Sequence, residues 1–100
     1  MDEAAYNAAM DLTEKQKKHL RRLGHELHAL VTLGNAGLTD GNAAELERAL
    51  HDHELVKVKA RLGDREARDT AFATLAERTR STLVQRIGNT GLFFRPRPKL

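Results

Sequence analysis

Residues 29–41 read Ala29-Leu30-Val31-Thr32-Leu33-Gly34-Asn35-Ala36-Gly37-Leu38-Thr39-Asp40-Gly41, and Ala43-Ala44-Glu45-Leu46-Glu47-Arg48-Ala49-Leu50 follows. An apolar run, two glycines separated by two small residues, and then a cappable segment of helical periodicity predict strand, tight loop, helix. Glycine lacks the Cβ that would bar a sharp turn or the close approach of another backbone. Loop N–H groups beside a helix start also sit at the positive end of the helix dipole, where a phosphate is well placed. Whether this loop meets a polyanion or only turns the chain depends on what surrounds it.

Upstream, residues 1–11 lack clear periodicity and are expected to form a flexible tail. Thr13-Glu14-Lys15-Gln16 has the form of a capping box, and a helix is expected from there to about Gly24, with Leu20, Leu23 and Leu27 on its apolar side. Lys15, Lys18 and Arg22 fall at i, i+3 and i+7 on its polar side, broadened by Lys17 and Arg21. Downstream, Thr39 or Asp40 can cap a second helix running to about His51, with Leu46, Ala49 and Leu50 inward; Gly41 and Asn42 weaken its first turn. Leu55 to Leu62 alternates, which predicts a half-buried strand with Val56, Val58, Ala60 and Leu62 to the core and Lys57, Lys59 and Arg61 on the other face. Gly63-Asp64 opens a third helix carrying Ala67, Ala71, Phe72, Leu75 and Ala76 inward. A strand over 82–88, a turn at Asn89-Thr90-Gly91 and a strand over 92–95 complete the chain before Pro96 and Pro98. The order α-β-α-β-α-β-β predicts an α/β (α+β) two-layer fold with a mixed four-stranded sheet. One hundred residues allow one core. The expected division is a tail at 1–11, a domain at 12–97 and a basic tail at 98–100.

Charge is 31% of the residues, with a formal net charge of +3. Its distribution says more than its sum. Basic residues cluster in helix one, and no acid follows Glu77, whereas Asp40, Glu45, Glu47, Asp52 and Glu54 face only Arg48 in the middle of the chain. Basic flanks suit a polyanion partner, although solvated helix faces and lysine-bearing strands account for such residues without one.

The sequence carries no cysteine, hence no disulfide, thiol nucleophile or cysteine-ligated zinc. His25 and His28, or His51 and His53, have no third ligand in register, so no metal is expected. The glycine loop is not followed by Gly-Lys-Ser/Thr, and Asp40 stands where a dinucleotide fingerprint needs its third glycine. Ser81 is the sole serine and sits in no nucleophile elbow. No enzyme, cofactor or small-molecule substrate is expected. The start lacks a signal-peptide core, and no apolar run approaches the ~20 residues of a membrane span. A binding role is left. Loops of the form GxxG clamp the backbone of about four nucleotides. With Tyr6, Phe72, Phe93 and Phe94 as the whole aromatic complement, recognition would lean on backbone and shape rather than stacked bases.

Several separated stretches resemble the CRM-domain family, whose closest members are bacterial stand-alone YhbY-type proteins. These are Leu12-Thr13-Glu14-Lys15-Gln16-Lys17, Leu20-Arg21 with His25, Leu33-Gly34-Asn35-Ala36-Gly37-Leu38-Thr39, His53-Glu54-Leu55-Val56-Lys57-Val58-Lys59, and Val84-Gln85-Arg86-Ile87-Gly88 with Phe94-Arg95-Pro96. The resemblance spans about residues 12–97. It implies a fold related to the C-terminal domain of translation initiation factor three, RNA binding without catalysis, and association with precursors of the large ribosomal subunit. On this chain the family loop is Gly34 to Gly37, the basic strand is Lys57 and Lys59, and the basic helix patch includes Lys15, Lys18 and Arg22. Asn35 departs from the lysine common after the first loop glycine. Asn42 replaces an aliphatic residue and Gly91 a larger one, each expected to lower stability by up to ~1 kcal/mol inside an element.

The expected RNA contacts are therefore Gly34, Asn35, Ala36, Gly37, Lys15, Lys18, Arg22, Lys57, Lys59, Arg61 and Arg95. The expected protein is a cytoplasmic monomer that binds large-subunit ribosomal RNA, with a general RNA chaperone or a ribosome-bound adaptor using acidic helix two as alternatives.

Overall fold

A computed structural model describes residues 12–98. The tail expected at 1–11, and the last two residues of the one expected at 98–100, lie outside the described residues. The elements are α1 (Glu14–Gly24), β1 (Ala29–Leu33), α2 (Asp40–His53), β2 (Leu55–Ala60), α3 (Arg65–Thr79), β3 (Thr82–Ile87) and β4 (Thr90–Phe94). The mixed α/β architecture is the one the periodicities predict.

Each helix starts where a side chain can accept an otherwise unpaired N–H. Thr13 caps α1 and exchanges hydrogen bonds with Gln16 at 3.1 and 2.8 Å. Thr39, not Asp40, caps α2, and Asn42 closes a second capping box by accepting from the Thr39 N–H. Asn42 thus supports the first turn that its propensity was expected to weaken. Asp64 caps α3.

The strands form one sheet in the order β1-β2-β4-β3. β1 and β2 are parallel, joined through α2 as a parallel pair requires. β2 with β4, and β4 with β3, are antiparallel. The last hairpin turns at Gly88-Asn89, one residue earlier than the sequence suggests. Gly88 takes φ +58° at the first loop position, and Thr90 is already paired with both Ile87 and Lys59.

Alternation sends β2 side chains to two different environments. Val56, Val58 and Ala60 enter the main core with Val31 and Leu33 of β1, Phe93 of β4, Leu46 and Leu50 of α2, and Phe72 and Leu75 of α3. This is the expected two-layer core, with α2 and α3 on one face. Leu62, beyond the strand end, packs against its rim. The described residues cover the opposite face only in part. There α1 lays Leu20 on Val84 and Leu92, with Leu12, Leu27, Leu55 and Phe94 around them. Gly24 is the point of approach: a Cβ at this position would stand 2.7 Å from Leu92 Cδ2. Leu23, expected on the apolar side of α1, is exposed because the helix bears on the sheet through Leu20 and Gly24.

Gly91 has a packing reason as well. Its missing Cβ would meet Phe93, Leu83 and Phe72 at 3.1 to 3.3 Å, where the Phe72 and Phe93 rings meet edge to face at 5.8 Å. A larger residue would have to displace that pair, so the expected stability loss at Gly91 does not apply to this core.

The chain after β4 is tied to α2. Arg95 makes a two-pronged contact with Glu47, at 2.9 and 2.8 Å, and donates to the Thr79 carbonyl at 2.8 Å. The Glu47 carboxyl is held below its ordinary value of 4.5, chiefly by the Arg95 hydrogen bond; burial opposes this, and the charges of Arg95 and His51 add to it. Glu47→Gln should cost about 1 kcal/mol at neutral pH, as two-pronged carboxylate pairs are worth more than ordinary surface ones. The sign with pH follows from the lowered value: the wild-type advantage is full above the unfolded glutamate pKa and fades as pH falls through the folded one. Urea denaturation of both proteins from pH 7 into acid checks this; a gap that widens in acid would contradict it. Gly24→Val should cost about 1–3 kcal/mol by overpacking against Leu92, read as a lowered urea midpoint.

Candidate nucleic-acid interface

The loop between β1 and α2 is a tight turn. Gly37 N–H donates to the Gly34 carbonyl at 3.0 Å, which makes the two glycines a bridged pair. Asn35 and Ala36 form the exposed tip. The glycines do different things. Gly37 has φ +86°, a conformation L-residues rarely adopt. Gly34 has no such φ, and a Cβ there would meet nothing within 4 Å. The fold therefore does not require glycine at 34, and the space beside it is open.

Three predicted cations line up with this loop. Arg61 N–H donates to the Leu33 carbonyl at 2.8 Å, which anchors Arg61 beside Gly34. Lys59 pairs with Thr32, and Lys57 with Ala29, across the parallel ladder. Pairing continues to β4, where Lys59 meets Thr90 and Lys57 meets Leu92. Lys57 and Lys59 are therefore on the face that carries α1, opposite the main core. Lys57 borders a cavity of about 180 Å³ together with Gly24 and His25 at the end of α1 and with Gln85, Ile87 and Thr90. Among the described residues no carboxylate pairs with Lys57, Lys59 or Arg61.

Helix α1 shares this side of the sheet but turns its charges differently. Lys15, Lys18 and Arg22 are exposed, on the side away from Leu20 and Gly24. Lys17 and Arg21 are half-buried nearer the sheet, and Lys17 pairs with Glu14 at 3.5 Å. The basic helix and the basic strand thus belong to one side of the molecule, with the three exposed cations directed outward rather than at the strand.

Arg95 is not brought to this site. It lies beyond β4, its guanidinium engaged by Glu47 and the Thr79 carbonyl. Arg78 and Arg86 are likewise held, by Asp40 and Asp69. Two carboxylates of the acidic middle segment, Asp40 at the surface and Glu47, are thereby paired with arginines of the same chain, and Glu54 accepts from the Arg97 N–H.

Neighbours that periodicity did not single out complete the face: Thr32, Thr90 and Ile87 form a row with Lys59 across the sheet. Reading Thr90 as a turn residue hid that row. Aromatic residues add little, since among the described residues Phe72 and Phe93 are buried and Phe94 is half-buried. Also among the described residues, no three His, Asp or Glu side chains gather as a metal site would need, and no helix is long and apolar enough to cross a membrane.

Known proteins resemble this chain in sequence and fold. A family model described as the CRS1 / YhbY (CRM) domain matches residues 12–95. A Pseudomonas aeruginosa protein named "Probable RNA-binding protein" is 47% identical over 90 residues, which is 90% of this chain and 86% of that one. A Haemophilus influenzae protein named "RNA-binding protein" is 42% identical over 85% of this chain and 86% of its own length. The solution structure of a hypothetical protein from Staphylococcus aureus superposes with a TM-score of 0.78 at 32% identity, covering 88% of this chain and 92% of the other. With the family model spanning all seven elements and these relatives matching across most of their length, the chain belongs to the CRS1/YhbY (CRM) domain family.

Proposed function

We propose that this protein binds RNA without catalysing a reaction, and that the contact runs from the Gly34–Gly37 loop along Arg61, Lys59 and Lys57. One observation carries the reading: three cations without carboxylate partners among the described residues stand in line with a glycine turn whose first glycine the fold does not need. The turn supplies close approach through its main chain, and the strand supplies the charge that Asn35 does not. Lys15, Lys18 and Arg22 extend the positive field outward on the same side. The names of the relatives support RNA as the ligand class.

The RNA we propose is that of large ribosomal subunit precursors, with the protein aiding their assembly in the cytoplasm as a monomer. The family resemblance is the support for this finer reading. An adaptor role for α2 is less favoured, because Asp40 and Glu47 are already matched by Arg78 and Arg95. Arg95 serves in this reading to fasten the C-terminal stretch, not to hold RNA.

Binding to a structured RNA should weaken with salt, and Lys57→Ala with Lys59→Ala should flatten the log–log slope by about 0.7–0.9 per lost phosphate contact. A slope equal to wild type would remove the strand from the interface. Gly34→Asp should leave the urea midpoint near wild type and weaken RNA binding, whereas Gly37→Ala should cost about 1 kcal/mol of stability through its positive φ. Unchanged RNA affinity in Gly34→Asp would return the loop to a plain turn. In sucrose gradients of cell extract, the tagged protein should travel with large-subunit precursors; migration with RNA of every size class would favour a general chaperone.

A further inference from the structure

One feature of the second sheet face has no part in charge–phosphate contact. Leu23 and Leu30 are 45% and 53% exposed, and with Leu27 and Leu55 they line a groove of about 570 Å³ between the end of α1 and β1. Strand alternation supplies Leu30: Val31 and Leu33 are buried in the main core, so Leu30 and Thr32 take the second face. The β1–β2 register also shifts between Ala29 and Val31, and Leu30 lines the groove together with Lys57. Clustered exposed leucines beside a binding surface mark something to be covered.

Resting on the RNA-binding reading above, the geometry points to an unpaired nucleobase as the occupant: the groove takes the base of a single-stranded segment whose phosphates run over Lys57, Lys59 and Arg61. Three observations favour it. Lys57 lines both the groove and the open sheet face, so the apolar and cationic surfaces are continuous. His53 adds a flat polar ring at the groove wall, and Glu26 is the one carboxylate among the described residues that line it. Lys57 to Arg61 spans four strand residues, about 13 Å. Arg61 at one end is anchored beside Gly34, and Lys57 at the other lines the groove. A strand clamped at Gly34–Gly37 thus ends at the leucines. Among the described residues no aromatic is exposed, so an aliphatic platform takes the place of base stacking. A base offers an apolar face for the leucines and polar edges for Lys57 and His53.

The test uses the full chain and six-nucleotide single-stranded RNAs, either intact or with one base removed at each position in turn, read by fluorescence anisotropy. Wild type should bind the RNA lacking the groove base about fivefold to tenfold more weakly than the intact one, the amount expected from burying one apolar face. Leu30→Ser and Leu23→Ser should erase that difference while binding the base-deleted RNA as wild type does; that retained binding also reports an intact fold. Equal affinity of wild type for intact and base-deleted RNAs would overturn the proposal, as would leucine variants that keep the difference or weaken both RNAs alike. Nuclear Overhauser contacts from Tyr6 to the Leu30 methyls that persist with RNA bound would assign the groove to the chain's own N-terminal segment and overturn it too. If wild type binds none of these RNAs, and no longer structured RNA, the RNA-binding reading itself fails. Binding of structured RNA alone overturns only the groove.

Discussion

A lysine ammonium cannot be buried without a partner except at a cost of several kcal/mol, and β2 carries two of them near the middle of the sheet. With β1 on one side and β4 on the other, the strand has only its two faces for side chains. Val56, Val58 and Ala60 claim one. Lys57 and Lys59 must take the other, and that face cannot then be closed over. Helix α1 accordingly covers only the end where Val84, Leu92 and Phe94 offer apolar contact. The half-open second face follows from the composition of one strand, and the groove beside Lys57 lies at the edge of that cover.

The same constraint explains how charge is sorted. A formal excess of +3 is small, and the late arginines together with the acidic α2 suggest separate basic and acidic surfaces. Folding matches them instead. Arg78 meets Asp40 and Arg95 meets Glu47, while Lys57, Lys59 and Arg61 meet no carboxylate among the described residues. The positive field that matters to a polyanion therefore comes from a few residues on one side, not from the total.

Glycines divide by physical cause. Gly24 and Gly91 are small because neighbouring side chains fill the place of a Cβ. Gly37 is glycine because of its backbone angle. Gly34 has neither reason, which is why the loop reads as a place of approach. Asn42 shows the converse: a poor helix former in the helix interior becomes an asset at the third position of a capped turn.

The sequence by itself determined the kind and order of the elements, the capping of α1, the inward face of β2 and the turn at Gly34–Gly37. These are written in local spacing, where residues two, three or four apart report their own environment. It also carried the motifs by which the family is recognised. Only the tertiary structure decided that β4 inserts between β2 and β3, that Leu23 and Leu30 face solvent, and that Arg95 is paired with Glu47. Strand order, helix cover and ion pairs join residues as far apart as Glu47 and Arg95. No periodicity within a single segment carries information about which distant segment will supply its partner.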